Sequence, residues 1–115
     1  MSTTLKALIS KFVITGIAAL IAFYATSDFT WIIVVSLLGT TLNYLVGDLL
    51  VLPNFGNVLA SIGDGSMAAI TAYIVDLIAP AFDVTTSSLV LFGLLVAVGE
   101  YFFHIYLKRS KKVAP

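Results

Sequence analysis

Cysteine is absent from the 115-residue sequence, and charged residues and prolines are scarce. Without cysteine the chain can form no disulfide and has no thiolate for nucleophilic or metal chemistry. The six Lys/Arg and six Asp/Glu make up only 10% of the residues, too few to cover the surface of a soluble domain. The composition therefore excludes ordinary soluble catalytic folds, and we expect no enzymatic activity.

Apolar residues are abundant instead, at 60% of the sequence with a mean hydropathy of +1.09. A helix needs roughly 20 apolar residues to cross a hydrocarbon core of about 30 Å. Four segments of this length fit the sequence: residues 5–25, 30–52, 57–79 and 87–107. The sequence predicts an all-α fold, a transmembrane four-helix bundle with up-down-up-down topology, formed by residues 1–115 as a single integral membrane domain.

Residues typical of helix ends and turns separate these four segments. Residues 26–28 and 85–87 offer side-chain oxygens that can cap the helices that follow them. Residues 53–57 predict a tight turn, in which Gly56 accepts a positive φ and Asn57 caps the third helix.

The cations lie at the two ends of the sequence and in none of the predicted connections. They are Lys6, Lys11, Lys108, Arg109, Lys111 and Lys112. Because loops rich in Lys and Arg stay on the cytoplasmic side, we expect both termini in the cytoplasm and residues 108–115 to form a basic cytoplasmic tail. The expected location is the plasma membrane.

Small and polar residues recur along each predicted helix at alternating spacings of four and three. The stripes are Lys11, Thr15, Ala18 and Ala22; Ser36, Thr40, Asn43 and Gly47; Asn57, Ser61, Asp64, Ala68 and Thr71; and Gly93, Ala97, Glu100 and His104. Membrane helices associate through small residues and hydrogen bonds, so these stripes should face inward. Gly63 and Gly65 around Asp64 indicate either close helix contact or a break in the third helix.

A rise of 1.5 Å per residue brings six polar residues into the same half of the predicted bundle, within about 13 Å of the cytoplasmic boundary. They are Lys11, Asn43, Asp48, Asp64, Glu100 and His104. Ionisable groups inside a membrane are costly and usually pair with one another. We therefore predict an intramembrane polar cluster, in which Lys11 pairs with Asp64 or Glu100 and locks the bundle.

Two functional interpretations of this cluster compete with the lock. Asp48, Asp64, Glu100 and His104 could form a pathway for protons or cations, because the carboxylates outnumber the lysine. Glu100 and His104, four residues apart, could share a metal ion, with Asp48 or Asp64 supplying more oxygens, but a single histidine cannot build the usual zinc sets. We therefore expect neither a metal nor a cofactor.

Residues 43–53, with the sequence NYLVGDLLVLP, are followed by Phe55-Gly56-Asn57 and then by an Asp in the third helix. This pattern resembles the YndM-like family of small integral membrane proteins along the length of the chain. The resemblance implies a four-helix protein of the plasma membrane of Gram-positive, spore-forming bacteria, with no known function. It carries over no catalytic residues.

The combined expectation is a structural or accessory membrane protein with the lipid bilayer as its main partner. Self-association is expected because four helices enclose little volume in which to hide five ionisable groups from lipid. We expect no nucleic-acid binding, since four cations on a tail are too few. Holin-like pore formation remains an alternative, because that class requires only a short chain and a basic tail.

Overall fold

The computed structural model describes the backbone of residues 3–110 and the side chains of residues 5–105 other than Pro53. The helices are α1 (Thr3–Phe23), α2 (Phe29–Leu42), a π-helical segment (Asn43–Val51) that continues α2, α3 (Leu52–Phe55), α4 (Asn57–Ile78) and α5 (Thr86–Ser110). The predicted all-α fold is confirmed. The side chains of Lys108, Arg109, Lys111 and Lys112, predicted to form a basic tail, lie outside the described residues.

Four helical stretches are long and apolar enough to cross a membrane. These spans are Leu5–Phe23, Phe29–Val51, Asn57–Ile78 and Thr86–Ile105. Each span turns large apolar side chains outward; Ile17, Leu50, Ile70 and Leu94, for example, are all more than half exposed. Soluble monomers rarely expose apolar surface on all sides. The structure thus confirms a four-helix bundle and indicates a multi-pass membrane protein.

The connection between the first two spans and the connection between the last two lie side by side at one end of the bundle. Asp28 caps α2 as predicted, accepting a hydrogen bond from the Thr30 amide at 3.0 Å. The Asp28 amide donates to the Ala81 carbonyl at 2.8 Å. Ser27 and Asp83 exchange hydrogen bonds at 2.8 and 2.9 Å. These contacts fix this end of all four spans.

The turn into α4 differs from the prediction in one respect. Gly56 has the expected positive φ, 87°, but no side chain caps α4. The side chain of Asn57 instead donates to the carbonyl oxygen of Tyr101 on α5, at 3.0 Å. The prediction that Asn57 caps the helix is therefore wrong, because a contact with a neighbouring helix takes up the side chain.

Aromatic rings fill the core near the two connections. Phe23 packs edge-on against Phe82 and Phe92, with both centroid distances at 5.0 Å. Around them lie small and β-branched side chains from all four spans, including Ala18, Val35, Ala68 and Val96. The small residues let the helices approach closely enough for this packing.

Helices α4 and α5 meet at glycine. A Cβ atom at Gly65 would overlap the carbonyl oxygen of Gly93 and lie 2.9 Å from the Cβ of Ala97. A Cβ at Gly63 would meet nothing within 4 Å, because residues two apart on a helix point to different sides. Close contact is therefore found at Gly65 and not at Gly63, and α4 runs unbroken through both.

The contrast between these two glycines gives a prediction. Gly65→Ala should lower the free energy of unfolding by about 1–3 kcal/mol, because α4 and α5 must move apart to admit the methyl group. Gly63→Ala should leave stability unchanged or raise it slightly, since alanine favours helix. Thermal unfolding of both variants in the same detergent measures the difference, and equal midpoints would contradict the proposed contact.

Candidate functional site

The side chain of Lys11 on α1 is fully buried among acidic side chains. Its Nζ lies 2.5 Å from Glu100 Oε2, 3.2 Å from Asp48 Oδ2 and 3.9 Å from Asp64 Oδ2. The ring of Phe103 faces the ammonium at 5.4 Å from its centroid, close enough for a cation–π interaction. One ammonium group thus contacts a carboxylate from each of the other three spans.

His104 on α5 meets the same three carboxylates. Its Nε2 lies 2.9 Å from Asp48 Oδ1, 3.2 Å from Asp64 Oδ2 and 3.5 Å from Glu100 Oε2. All four of these side chains are fully buried, as is that of Lys11. We call these five residues, Lys11, Asp48, Asp64, Glu100 and His104, the ionic cluster.

The other ring nitrogen of His104 is held by polar side chains of α4. Its Nδ1 lies 2.8 Å from Asn57 Oδ1, which also accepts a hydrogen bond from Ser61 Oγ at 3.1 Å. The side-chain nitrogen of Asn57 donates a hydrogen bond to the Tyr101 carbonyl, so the side-chain oxygen of Asn57 is the atom that faces the ring. An amide oxygen only accepts, and Nδ1 therefore carries a hydrogen and donates it.

The π-helical segment determines which side chains of the second span enter the bundle. Hydrogen bonds in a π-helix join residues five apart, so Asn43 and Asp48 lie on the same side of the segment. In an α-helix, with about 3.6 residues per turn, those two side chains would point in different directions. Both are fully buried here. The side-chain amide of Asn43 makes no hydrogen bond to any described group.

Gly47 lets α4 bring Asp64 close to the second span. A Cβ atom at Gly47 would overlap Asp64 Oδ1, with the carboxyl carbon 2.9 Å away. The missing side chain therefore makes room for the carboxylate. Any residue other than glycine at position 47 would require the Asp64 side chain to move.

Apolar side chains cover the ionic cluster in both directions along the bundle. On one side lies the core around Phe23, and on the other lies a smaller cluster of Ala7, Tyr44, Leu52, Ala60 and Phe103. On α4, for example, Asp64 falls between Ala60 and Ala68, which are both fully buried. The charged groups are thus enclosed, and close contacts among them replace contacts with water.

A model of one protein family matches residues 2–113, almost the whole chain. Its description is "Protein of unknown function (DUF2512)". The chain belongs to the DUF2512 family. No curated protein and no solved structure matches it. Family membership thus assigns no biochemical role.

The structure of this DUF2512 chain brings five of the six predicted cluster residues together, with Lys11 and His104 each in contact with all three carboxylates. The sixth, Asn43, is buried on the same side of its span as Asp48. The predicted set omits Asn57 and Ser61, which orient His104. Their spacing gave a signal, because both belong to the polar stripe of the third helix that contains Asp64.

The contact at Gly47 is testable in the DUF2512 chain. Gly47→Ala should displace the Asp64 carboxylate from the ionic cluster and lower the midpoint of thermal unfolding. Gly16→Ala is the matched control, because a Cβ there would lie 3.8 Å from Ser36 Oγ, an ordinary contact. Unfolding of the two variants and the wild type in one detergent makes the comparison. A Gly47→Ala protein as stable as the control would refute the packing described here.

Proposed function

We propose that this protein is a structural or accessory component of the plasma membrane, without enzymatic activity, in which the ionic cluster locks the four spans together. The observation that carries the proposal is the contact of the Lys11 ammonium with one carboxylate from each of the other three spans. No pair of spans can separate from the rest without leaving a charge uncompensated in a low-dielectric interior.

The lock follows from the energetics of buried ions. Desolvation makes a buried ion pair a weak source of net stability, but removal of one partner leaves a bare charge and typically costs about 3–5 kcal/mol. The same penalty opposes any shift of a helix that moves its charged group away from the cluster. The ionic cluster therefore selects one arrangement of helices whose Ala- and Gly-rich faces would tolerate others.

The enclosure of the cluster favours a lock over translocation of protons or cations through Asp48, Asp64, Glu100 and His104. A transported ion must reach its site from the water on either side. The members of the cluster are fully buried within one chain and are flanked by apolar side chains in both directions along the bundle, and on the side of the turn at Gly56 His104 contacts the partly buried Asn57. The surplus of carboxylates over lysine is equally compatible with a fixed ion or proton.

The proposal also covers the narrower group of proteins to which the chain belongs, its orientation in the membrane and its self-association. The sequence pattern around residues 43–57 supports a place among YndM-like proteins of Gram-positive, spore-forming bacteria. The distribution of cations supports cytoplasmic termini. Self-association stays a prediction, but a single chain already buries the ionic cluster, so shielding of these charges from lipid needs no second copy.

Lys11→Met tests the lock. Removal of the ammonium leaves three buried carboxylates without their shared partner, and we expect a loss of about 3–5 kcal/mol in the free energy of unfolding. Lys6→Met is the matched control, because Lys6 lies on the same helix with an exposed side chain. The double variant Lys11→Met, Glu100→Gln should recover part of the loss, since it removes one of the uncompensated charges.

Thermal and denaturant unfolding in detergent provide the stability measurement, and proteoliposomes provide the functional one. The lock predicts no proton or potassium flux above that of empty vesicles. Flux through the wild type that disappears in a folded Asp64→Asn variant would support the translocator instead. A Lys11→Met protein as stable as Lys6→Met would likewise exclude the lock.

The absence of cysteine makes the proposed topology directly measurable. With both termini in the cytoplasm, Ala25→Cys in the first connection should react with a membrane-impermeant maleimide in intact cells. Asn54→Cys, in the turn at the other end of the bundle, should react only after the membrane is permeabilised. Both positions are exposed. The reverse labelling pattern would place the termini outside.

A further inference from the structure

The charges of the ionic cluster do not balance among themselves. Three carboxylates face one lysine ammonium, and two negative charges remain when His104 is neutral. An uncompensated charge inside a bundle surrounded by lipid is strongly unfavourable. A divalent cation would neutralise the cluster completely while Lys11 stays in place.

The distances from His104 Nε2 to the carboxylate oxygens that face it are similar to those between neighbouring ligands of one metal ion. Ligand atoms at about 2.1 Å from a metal ion lie about 3.4 Å apart in a tetrahedron and about 3.0 Å apart at adjacent corners of an octahedron. The distances from Nε2 to the oxygens of Asp48, Asp64 and Glu100 are 2.9, 3.2 and 3.5 Å. One ligand atom from each of these four residues falls within 4.8 Å of all the others.

Residues outside the cluster orient the histidine as metal ligands are usually oriented. The hydrogen on Nδ1 points to Asn57 Oδ1, which leaves Nε2 directed at the carboxylates. Histidines that bind metals nearly always donate their other ring N–H to an oxygen in this way. A neutral His104 would direct a lone pair at the lone pairs of three carboxylates, and this arrangement is stable only with a positive charge between them, supplied either by a metal ion or by a proton on Nε2.

Buried polar atoms near the cluster still need a partner. Asp64 Oδ1 and Glu100 Oε1 are buried without a hydrogen bond to any described group. The side-chain nitrogen and oxygen of Asn43 are also buried without a hydrogen bond to any described group. They lie on the side of the π-helical segment that also carries Asp48. Buried polar groups without partners are rare and often mark a bound ion or water.

We propose that the ionic cluster holds one divalent transition-metal ion, bound by His104 Nε2 and by carboxylate oxygens of Asp48, Asp64 and Glu100. One imidazole with three carboxylates suits ions between manganese and zinc in the first transition series. Because the sequence contains a single histidine, a metal site was not expected from the sequence. The fold, however, brings three oxygen ligands from three spans to this histidine. This inference rests on the proposed lock and adds the kind of ion that would balance the charge of the cluster. An enclosed site suits a resident structural ion.

The metal content of untagged protein, purified in detergent without chelator, tests the proposal. Elemental analysis by mass spectrometry should find about one divalent transition-metal ion per chain. Removal with a chelator should lower the unfolding midpoint, and addition of Mn²⁺, Co²⁺ or Zn²⁺ should restore it. Bound Co²⁺ should show the visible absorption of a protein-ligated ion.

Substitutions then locate the site. His104→Gln and Asp48→Asn should each reduce the bound metal at least tenfold, and Asp76→Asn, a change to a partly buried carboxylate at the far end of α4, should not. Asn57→Ala removes the acceptor that orients His104, together with the Asn57 hydrogen bonds to the Tyr101 carbonyl and from Ser61, and leaves all four proposed metal ligands in place. We expect this positioning change to weaken Co²⁺ binding about 10- to 100-fold with the Co²⁺ spectrum retained at saturation.

The wild type alone decides the outcome if these variants do not fold. Wild-type protein that contains no metal, and whose unfolding midpoint does not respond to any of the three ions, would overturn the metal site and leave protons to balance the charge. That result is distinct from failure of the lock, which Lys11→Met measures separately. A destabilised Lys11→Met protein together with a metal-free wild type would keep the lock and reject the ion.

Discussion

An ammonium group removed from water must be surrounded by negative charge, and the fold depends on how this need is met for Lys11. Each of the other three spans supplies one carboxylate, so the rotation of every helix about its axis is constrained at once. The close approaches follow from the same requirement. Gly47 makes room for Asp64, and Gly65 lets α4 lie against α5, which carries Glu100.

The π-helical segment solves a geometric problem within that constraint. The second span must turn Asn43 and Asp48 to the interior, although an α-helix would direct them to different sides. Widening the helix over residues 43–51 aligns them, and the one-turn helix that follows leads into the turn at Gly56. π-Helical turns are rare and concentrate at functional sites, which agrees with the importance of the ionic cluster.

The fold and most of the cluster were predictable because both depend on periodicity and composition. Apolar length gives the spans, and the small-polar stripes indicate which faces meet. The π-helical segment was not predictable, because it arises from a tertiary demand on Asp48 and not from local propensity. Tertiary contacts also explain why Asn57 orients His104 instead of capping a helix. They likewise explain why a Cβ atom would meet a neighbouring helix at Gly65 and no other group at Gly63.

Stability alone does not explain a buried ionic cluster, because well-packed apolar residues of similar volume often serve as well or better. The core around Phe23 shows that this chain can join its four spans with apolar contacts. The other half of the bundle uses five ionisable groups for the same task, and both of our proposals give these groups a role that apolar groups cannot fill. Selection of a single helix arrangement and retention of a cation both meet that condition, and both depend on the same three carboxylates. The ionic cluster is therefore the part of this DUF2512 protein on which both proposals depend.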